Sequence, residues 1–241
     1  MGKCLEVKDL KWGFRNIPVL NGISFDADEG EIFGCLGRNG SGKSTIIDIL
    51  STLTTPTNGN ARVCGYDTVK EAIEVRKRIG AVFENFYVPG DMAPLHYLYY
   101  YGELSALQRP VIIEREEALF ETFDMVKYRH KKLSSLSEEV VRKVEICRAL
   151  LSYPRVLLLD EPTRGLDIVE KKRIWAFLEG VSIEEGVTIF LTSHDLQEVS
   201  ELCNEVAVIS DGKIAFCGSP KDLAIEKGDF EKSLIALMMG Q

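Results

Sequence analysis

The residues whose types and spacing can do chemistry begin at Gly37-Arg38-Asn39-Gly40-Ser41-Gly42-Lys43-Ser44. A glycine, four residues and then Gly-Lys-Ser is the pattern of a loop that cradles phosphates. Glycines let successive backbone N–H groups face one concavity that side chains would obstruct. The apolar segment Ile32-Phe33-Gly34-Cys35-Leu36 before it reads as a buried strand, and Thr45-Ile46-Ile47-Asp48-Ile49-Leu50 after it as a helix. That helix brings its positive end to the same spot. In this setting Lys43 is expected to reach the β- and γ-phosphates of a nucleotide, and the Ser44 hydroxyl to bind Mg²⁺. A plain glycine-rich turn is the alternative, but a turn has no use for the Lys-Ser pair.

Two further groups stand at the ends of apolar runs. Val156-Leu157-Leu158-Leu159 leads into Asp160-Glu161-Pro162-Thr163. Four apolar residues between polar ones suit a strand buried on both faces. Carboxylates at its carboxyl end lie where open α/β sheets keep their chemistry. Asp160 is placed to hold Mg²⁺, directly or through water, and Glu161 to polarise an attacking water. Asp-Glu-Pro can also open a helix, but the phosphate loop upstream favours the chemical reading. Thr188-Ile189-Phe190-Leu191-Thr192 is a further strand, ending at Ser193-His194-Asp195 and putting His194 on the same edge.

These groups need elements to hold them. Apolar-rich patterns over 3–8 and 19–27, broken by turn residues, predict antiparallel strands ahead of the phosphate loop. Trp12 and Phe14 stand between them; either stacks on a base or is a core aromatic at a strand edge. A strand pair and a short helix occupy 61–84, closing with Ile79-Gly80-Ala81-Val82-Phe83 and then Glu84. Residues 86–150 carry helical periodicity without a clear strand and read as a helical insertion in an α/β domain. Tyr97, Tyr99, Tyr100 and Tyr101 open that stretch, as core or as a docking surface. Ser210-Asp211-Gly212 joins two strands as a hairpin turn, and 220–239 holds two short helical patterns.

The 241 residues are 45% hydrophobic with a formal net charge of −8. That allows a sizeable core, and the acidic balance argues against non-specific nucleic-acid binding. No apolar run approaches the ~20 residues of a membrane helix, and the first residues lack a secretory signal, so a cytosolic chain is expected. The cysteines at 4, 35, 64, 147, 203 and 217 form no C-x-x-C pair and read as small buried hydrophobes.

In this order the motifs identify the sequence as similar to the ATPase subunit of an ATP-binding-cassette transporter. The resemblance covers roughly residues 3–219. It rests on the phosphate loop, on Leu-Leu-Leu-Asp-Glu-Pro-Thr-x-Gly-Leu-Asp at 157–167 and on His194. Gly65-Tyr66-Asp67 through Arg78-Ile79-Gly80, with the short tail, looks most like the exporter branch of drug-resistance and polysaccharide systems. The resemblance implies an α/β, RecA-like P-loop NTPase core with an antiparallel β subdomain and an inserted α-helical subdomain. The core then takes about 1–85 and 152–219, the helical part about 86–151, and a short tail 220–241.

It also implies roles and partners. Phe14, with Trp12 as the fallback, stacks on adenine; Gly37 through Ser44 and Thr45 hold ATP. Ser44, Glu84 and Asp160 lie on the Mg²⁺ side, Glu161 is the general base and His194 contacts the γ-phosphate. Asp167 couples two sites across a dimer, and Ser137 belongs to the signature facing the partner's nucleotide. The implied partners are membrane-spanning permease subunits and a second cassette, identical or different, on the inner face of the cell membrane.

Two departures qualify this. Glu84 stands where the family usually has glutamine, and Leu136-Ser137-Glu138-Glu139-Val140 where it usually has Leu-Ser-Gly-Gly-Gln. Ser135 and Glu138 form a capping-box pattern for a helix starting there. The remaining alternatives are a non-transport cassette ATPase and a weakly hydrolysing member of a heterodimeric pair.

Overall fold

A computed structural model describes residues 2–15 and 17–222. The expected helical patterns of the tail therefore lie, from residue 223 on, outside the described residues.

Two sheets organise the chain. Strands β1 (Lys3–Phe14), β2 (Ile17–Asp28), β4 (Asn58–Val63) and β5 (Tyr66–Asp67) make an antiparallel sheet in the order β2-β1-β4-β5. Strands β3 (Ile32–Gly37), β6 (Ile79–Val82), β7 (Val156–Asp160), β8 (Thr188–Ser193), β9 (Glu205–Ser210) and β10 (Lys213–Gly218) make the other, in the order β10-β9-β3-β8-β7-β6. All its pairings are parallel except the β9–β10 hairpin. That hairpin turns through Asp211 at φ 48° and Gly212 at φ 70°, the left-handed pair its turn sequence calls for.

Burial on both faces explains the apolar runs. In β7, Val156 and Leu158 join the core shared with the antiparallel sheet, while Leu157 and Leu159 join the core under the helices. A stack of Phe25, Phe33 and Phe190, with centroids 4.9 to 6.0 Å apart, joins β2 to β3 and β8. Helix α1 (Lys43–Leu50) lies in the same core, with Ile46, Ile47, Ile49 and Leu50 wholly buried. The connection to β6 carries helix α2 (Ala72–Arg76).

Between β6 and β7 come α3 (Pro94–Leu104), α4 (Arg109–Thr122) and α5 (Glu138–Leu150), with two 3₁₀ turns. Helix α6 (Ile168–Glu185) connects β7 to β8, and α7 (Leu196–Leu202) connects β8 to β9. The tyrosines of α3 divide: Tyr97 is buried and donates to Glu145 at 2.6 Å, whereas Tyr100 is half exposed. Helix α5 lies on the edge strand β6 at backbone range, for a Cβ on Gly80 would meet the Ala149 carbonyl oxygen at 2.1 Å. Arg148 donates to the Ala81 carbonyl at 2.6 Å and Arg142 to that of Phe83 at 3.4 Å.

Two sequence expectations are corrected here. Helix α5 is capped by Ser137, whose hydroxyl accepts from the Val140 N–H. Ser135 falls in a 3₁₀ turn (Leu133–Ser135) and spends its hydroxyl on the Lys132 carbonyl. Leu136 and Ser137 are extended, so the helix starts two residues later than the capping-box reading required. The cysteines are not all buried either: Cys64 and Cys203 are half-buried and Cys217 is exposed, because β10 is an edge strand with alternately open positions.

Candidate functional site

The phosphate loop runs from the end of β3 to α1. Gly40 (φ 82°) and Gly42 (φ 104°) take left-handed backbone that side chains rarely adopt. At Gly42 a Cβ would also strike Leu20 at 2.5 Å, and at Gly37 one would strike Ser41 Oγ at 2.6 Å. Gly42 is the N-cap residue of α1, without a side-chain cap or an acid in the first turn. The orphan N–H groups of the helix start are left for an anion. Lys43 is buried and folds back, donating to the Gly37 carbonyl at 2.8 Å and the Arg38 carbonyl at 3.3 Å. The hydroxyl of Ser41 is buried without a hydrogen-bond partner, and an anion's oxygen would supply one.

The carboxyl ends of β7 and β8 meet this loop. Glu161 Oε1 is 4.0 Å from Lys43 Nζ, and Glu161 Oε2 is 2.6 Å from His194 Nδ1. Glu161 itself sits at φ 51°, a strained backbone of the kind found at functional sites. Burial pushes its carboxyl above the usual range, while His194 and Lys43 pull it back. Asp160 is buried and accepts from Thr192 Oγ1 at 2.5 Å. Threonine 192 accepts the Glu161 N–H as well, at 3.1 Å on its hydroxyl and 3.2 Å on its carbonyl. The arrangement offers a buried carboxylate aimed by a histidine, beside a lysine and a glycine-rich loop.

A cavity of about 510 Å³ joins Lys43, Ser44 and Thr45 to Glu84, Glu161 and Trp12. A second of about 510 Å³ adjoins it across Asn39 and Gly40 and reaches Arg38, Ser41 and Ile17. Phe14 is paired with Ile17, is 56% exposed, and carries the Arg15 guanidinium over its ring. Trp12 thus lines the first cavity, whereas exposed Phe14 lines neither and adjoins the second only through its strand partner Ile17. Glu84 forms an ion pair with Arg164.

The other sequence-predicted residues are elsewhere. Ser137 caps α5 from an exposed position. Asp167 caps α6, accepting from the N–H groups of Val169 at 2.8 Å and Glu170 at 3.0 Å. Neither lines the two cavities. Glu139 is drawn toward Lys143 at 3.1 Å, which is held in turn by Glu170 at 2.5 Å, while Glu138 is exposed.

Three contributors escape a linear reading. Thr192 serves both β7 carboxylates from the neighbouring strand. Glu198 accepts from Thr163 at 2.7 Å and from Trp175 at 2.9 Å, bracing the turn after Glu161. Arg164 answers the unusual Glu84. Only Thr192 had a local signal, its place at the end of an apolar run.

Comparison with known proteins bears on this geometry. The family described as ABC transporter matches residues 20–164. The chain is similar to the ABC transporter ATP-binding protein NatA of Bacillus subtilis, 35% identical over 86% of this chain and 84% of that one. It is similar to the bacitracin transport ATP-binding protein BcrA of Bacillus licheniformis, 32% identical over 89% of this chain and 69% of that one. Among solved structures, cbiO1 of Clostridium perfringens, part of the ABC transporter complex cbiONQ, superposes with a TM-score of 0.83. It is 27% identical, over 94% of this chain and 92% of that one.

Proposed function

The chain belongs to the ABC transporter family, and from that premise we propose that it binds and hydrolyses ATP to power an exporter. The observation that carries this is the buried Glu161, hydrogen-bonded to His194 and 4.0 Å from the phosphate-loop lysine. Among the described residues no helix is long and apolar enough to cross a membrane. We therefore assign the membrane path to separate permease subunits, with this chain peripheral on the inner face of the cell membrane. The export direction is supported by the similarity to a Nod factor export ATP-binding protein, 33% identical over 91% of this chain.

The substrate's triphosphate belongs on the loop from Gly37 to Thr45, where Lys43 exchanges its loop-carbonyl bonds for phosphate oxygens. The base stacks on Phe14, whose strand partner Ile17 lines the second cavity, and Trp12 lines the first. Glu161 takes a proton from the attacking water, and His194 orients the carboxylate and meets the γ-phosphate. Burial raises the Glu161 carboxyl, which strengthens it as a base, and His194 and Lys43 beside it limit that rise.

Ser44, Asp160 and Glu84 offer only oxygen donors, the choice of a hard cation. Among the described residues no group of three or more His, Cys, Asp or Glu could hold a metal alone, which fits an ion that keeps waters and borrows phosphate oxygens. Mg²⁺ bound there supplies charge neutralisation at the β- and γ-phosphates. Arg164 is ion-paired with the Glu84 carboxylate, and Glu84 serves as ligand or water holder when that pair opens.

The start of α5 favours a second cassette that differs from this one. In a head-to-tail dimer, Ser137 and its two following residues would face the partner's γ-phosphate, with Asp167 nearby. Here Glu138 and Glu139 bring charge of the wrong sign. A partner with an intact signature would complete the site of this chain, while the site opposite stays weak.

The test is affinity capture of the tagged chain from detergent-solubilised membranes, with every co-purifying polypeptide identified. A polytopic membrane subunit and a second cassette are expected. Recovery of soluble partners alone would sink the transport reading.

A further inference from the structure

A second chemically competent cluster lies where β1 meets β4. Cys4 Sγ and Cys64 Sγ are 3.2 Å apart, and the Cys64 N–H donates to the Cys4 carbonyl at 2.7 Å. The two residues directly adjoin the facing pair Leu5 and Val63, with Cys64 in the turn just past β4. Closing the sulfurs from 3.2 Å to the ~2.05 Å of a disulfide needs a shift of about 1 Å. A cavity of about 300 Å³ is lined by both cysteines, with Tyr66 and Arg78 in its wall; Cys64 is half-buried and Cys4 buried.

The surrounding charges are paired: Lys3 with Asp26 and Asp28, Arg78 with Glu74, and Arg155 with Glu29. Reactivity therefore rests on the sulfurs and not on a net field. The hydrogen bond between the two sulfurs, in which either can donate, brings the Cys4 thiol down to about 7 when Cys64 is the donor. A thiol that ionises near ambient pH is the best attacking group in disulfide exchange.

We propose that Cys4 and Cys64 are a dithiol site that reduces a small disulfide and is itself closed to a Cys4–Cys64 bond. The Cys4 thiolate attacks one sulfur of the external disulfide. That S–S bond breaks, and the first small thiolate leaves and takes a proton. Cys64 then loses its proton and attacks the Cys4 sulfur of the mixed disulfide, expelling the second small thiolate. Two protein thiols are oxidised and one external disulfide is reduced to two thiols. The new bond closes a loop of sequence separation 60 that contains the whole phosphate loop.

The test uses the full chain incubated with oxidised glutathione, quenched by alkylation, digested and read by mass spectrometry. The Cys4 and Cys64 peptides should be joined, lighter by two hydrogens, and separated again by dithiothreitol. They should be consumed at least about tenfold faster than exposed Cys217, which serves as the internal reference and should collect a glutathione adduct. In Cys64→Ser the exchange should stop halfway, with one glutathione left on Cys4. If Cys4 and Cys64 of the unmodified chain are still fully alkylated once Cys217 is captured, the proposal fails. It fails too if Cys4 stays free in Cys64→Ser under the same treatment.

Discussion

Helices α1 and α5 begin in opposite ways. Helix α1 starts after Gly42 with no side-chain cap, no acid in its first turn and Lys43 as its first residue. Helix α5 starts after Ser137, whose hydroxyl accepts the Val140 N–H, and puts Glu138 and Glu139 in its first turn. Both ends carry the same positive pole and the same orphan donors. At α1 no side chain meets these donors, whereas at α5 Ser137 accepts one of them and two acids oppose the pole. A helix start is either open to an outside anion or neutralised by the chain itself, and α1 and α5 differ in this way.

The largest expected effect breaks the receiving side. Glu161→Gln should bind MgATP as the unaltered chain does while steady-state hydrolysis falls about 10² to 10⁴-fold, the usual contribution of a positioned base. Undiminished turnover would remove Glu161 from that role.

The next would turn α5 into a receiver. Two like charges about 5 Å apart repel by roughly 3 kcal/mol at an effective dielectric near 20, and screening lowers this. Removing them with Glu138→Gly and Glu139→Gly should tighten ATP-dependent self-association of the Glu161→Gln form about tenfold or more. Size-exclusion chromatography with and without ATP reads it. A tight ATP-dependent homodimer with brisk hydrolysis from the unaltered chain would contradict the heterodimer reading.

Smaller is the effect of the aromatic beside the receiving loop. Phe14→Ala should weaken nucleotide binding by a factor of about 2 to 10, the worth of a stacked ring pair, with Trp12→Ala changing it less. Fluorescent-nucleotide titration decides; the reverse order would move the stacking role to Trp12.

The smallest concerns protonation. Burial raises the Glu161 carboxyl above its ordinary 4.5 and His194 lowers it. The acid limb of the hydrolysis profile should therefore lie above 4.5, with activity gained as pH rises through it. His194→Ala should move that limb further up in whatever activity remains. A limb that stays put would mean His194 does not govern the charge on Glu161.

Much of the receiving side was legible because it is local. Gly37 to Ser44 needs only a strand before it and a helix after it, and Asp160 and Glu161 end a run whose burial on both faces shows in its composition. The lengths of β1 and β2 were not legible. Left-handed Asp9 and Gly22 and several register shifts break the alternation that would have marked 12-residue strands. The cap of α5 was missed because two serines, Ser135 and Ser137, suit that role and only backbone geometry chooses between them. Contacts of Glu84 with Arg164, and of Cys4 with Cys64, join residues far apart in sequence and leave no local pattern.

The edge strand β6 has a consequence for how the chain reaches this structure. Its outer carbonyls, Ala81 and Phe83, are met by Arg148 and Arg142 of α5, and Gly80 admits the Ala149 backbone. The row of groups that could recruit a stray strand is thus covered by a helix that comes much later in the chain. Until residues 138–150 have been made and docked, β6 is an uncapped template. Nascent or partly unfolded chains pass through a sticky stage that ends when α5 arrives, so refolding yield should fall with protein concentration. It should fall most steeply in Gly80→Val, where the helix cannot close the edge.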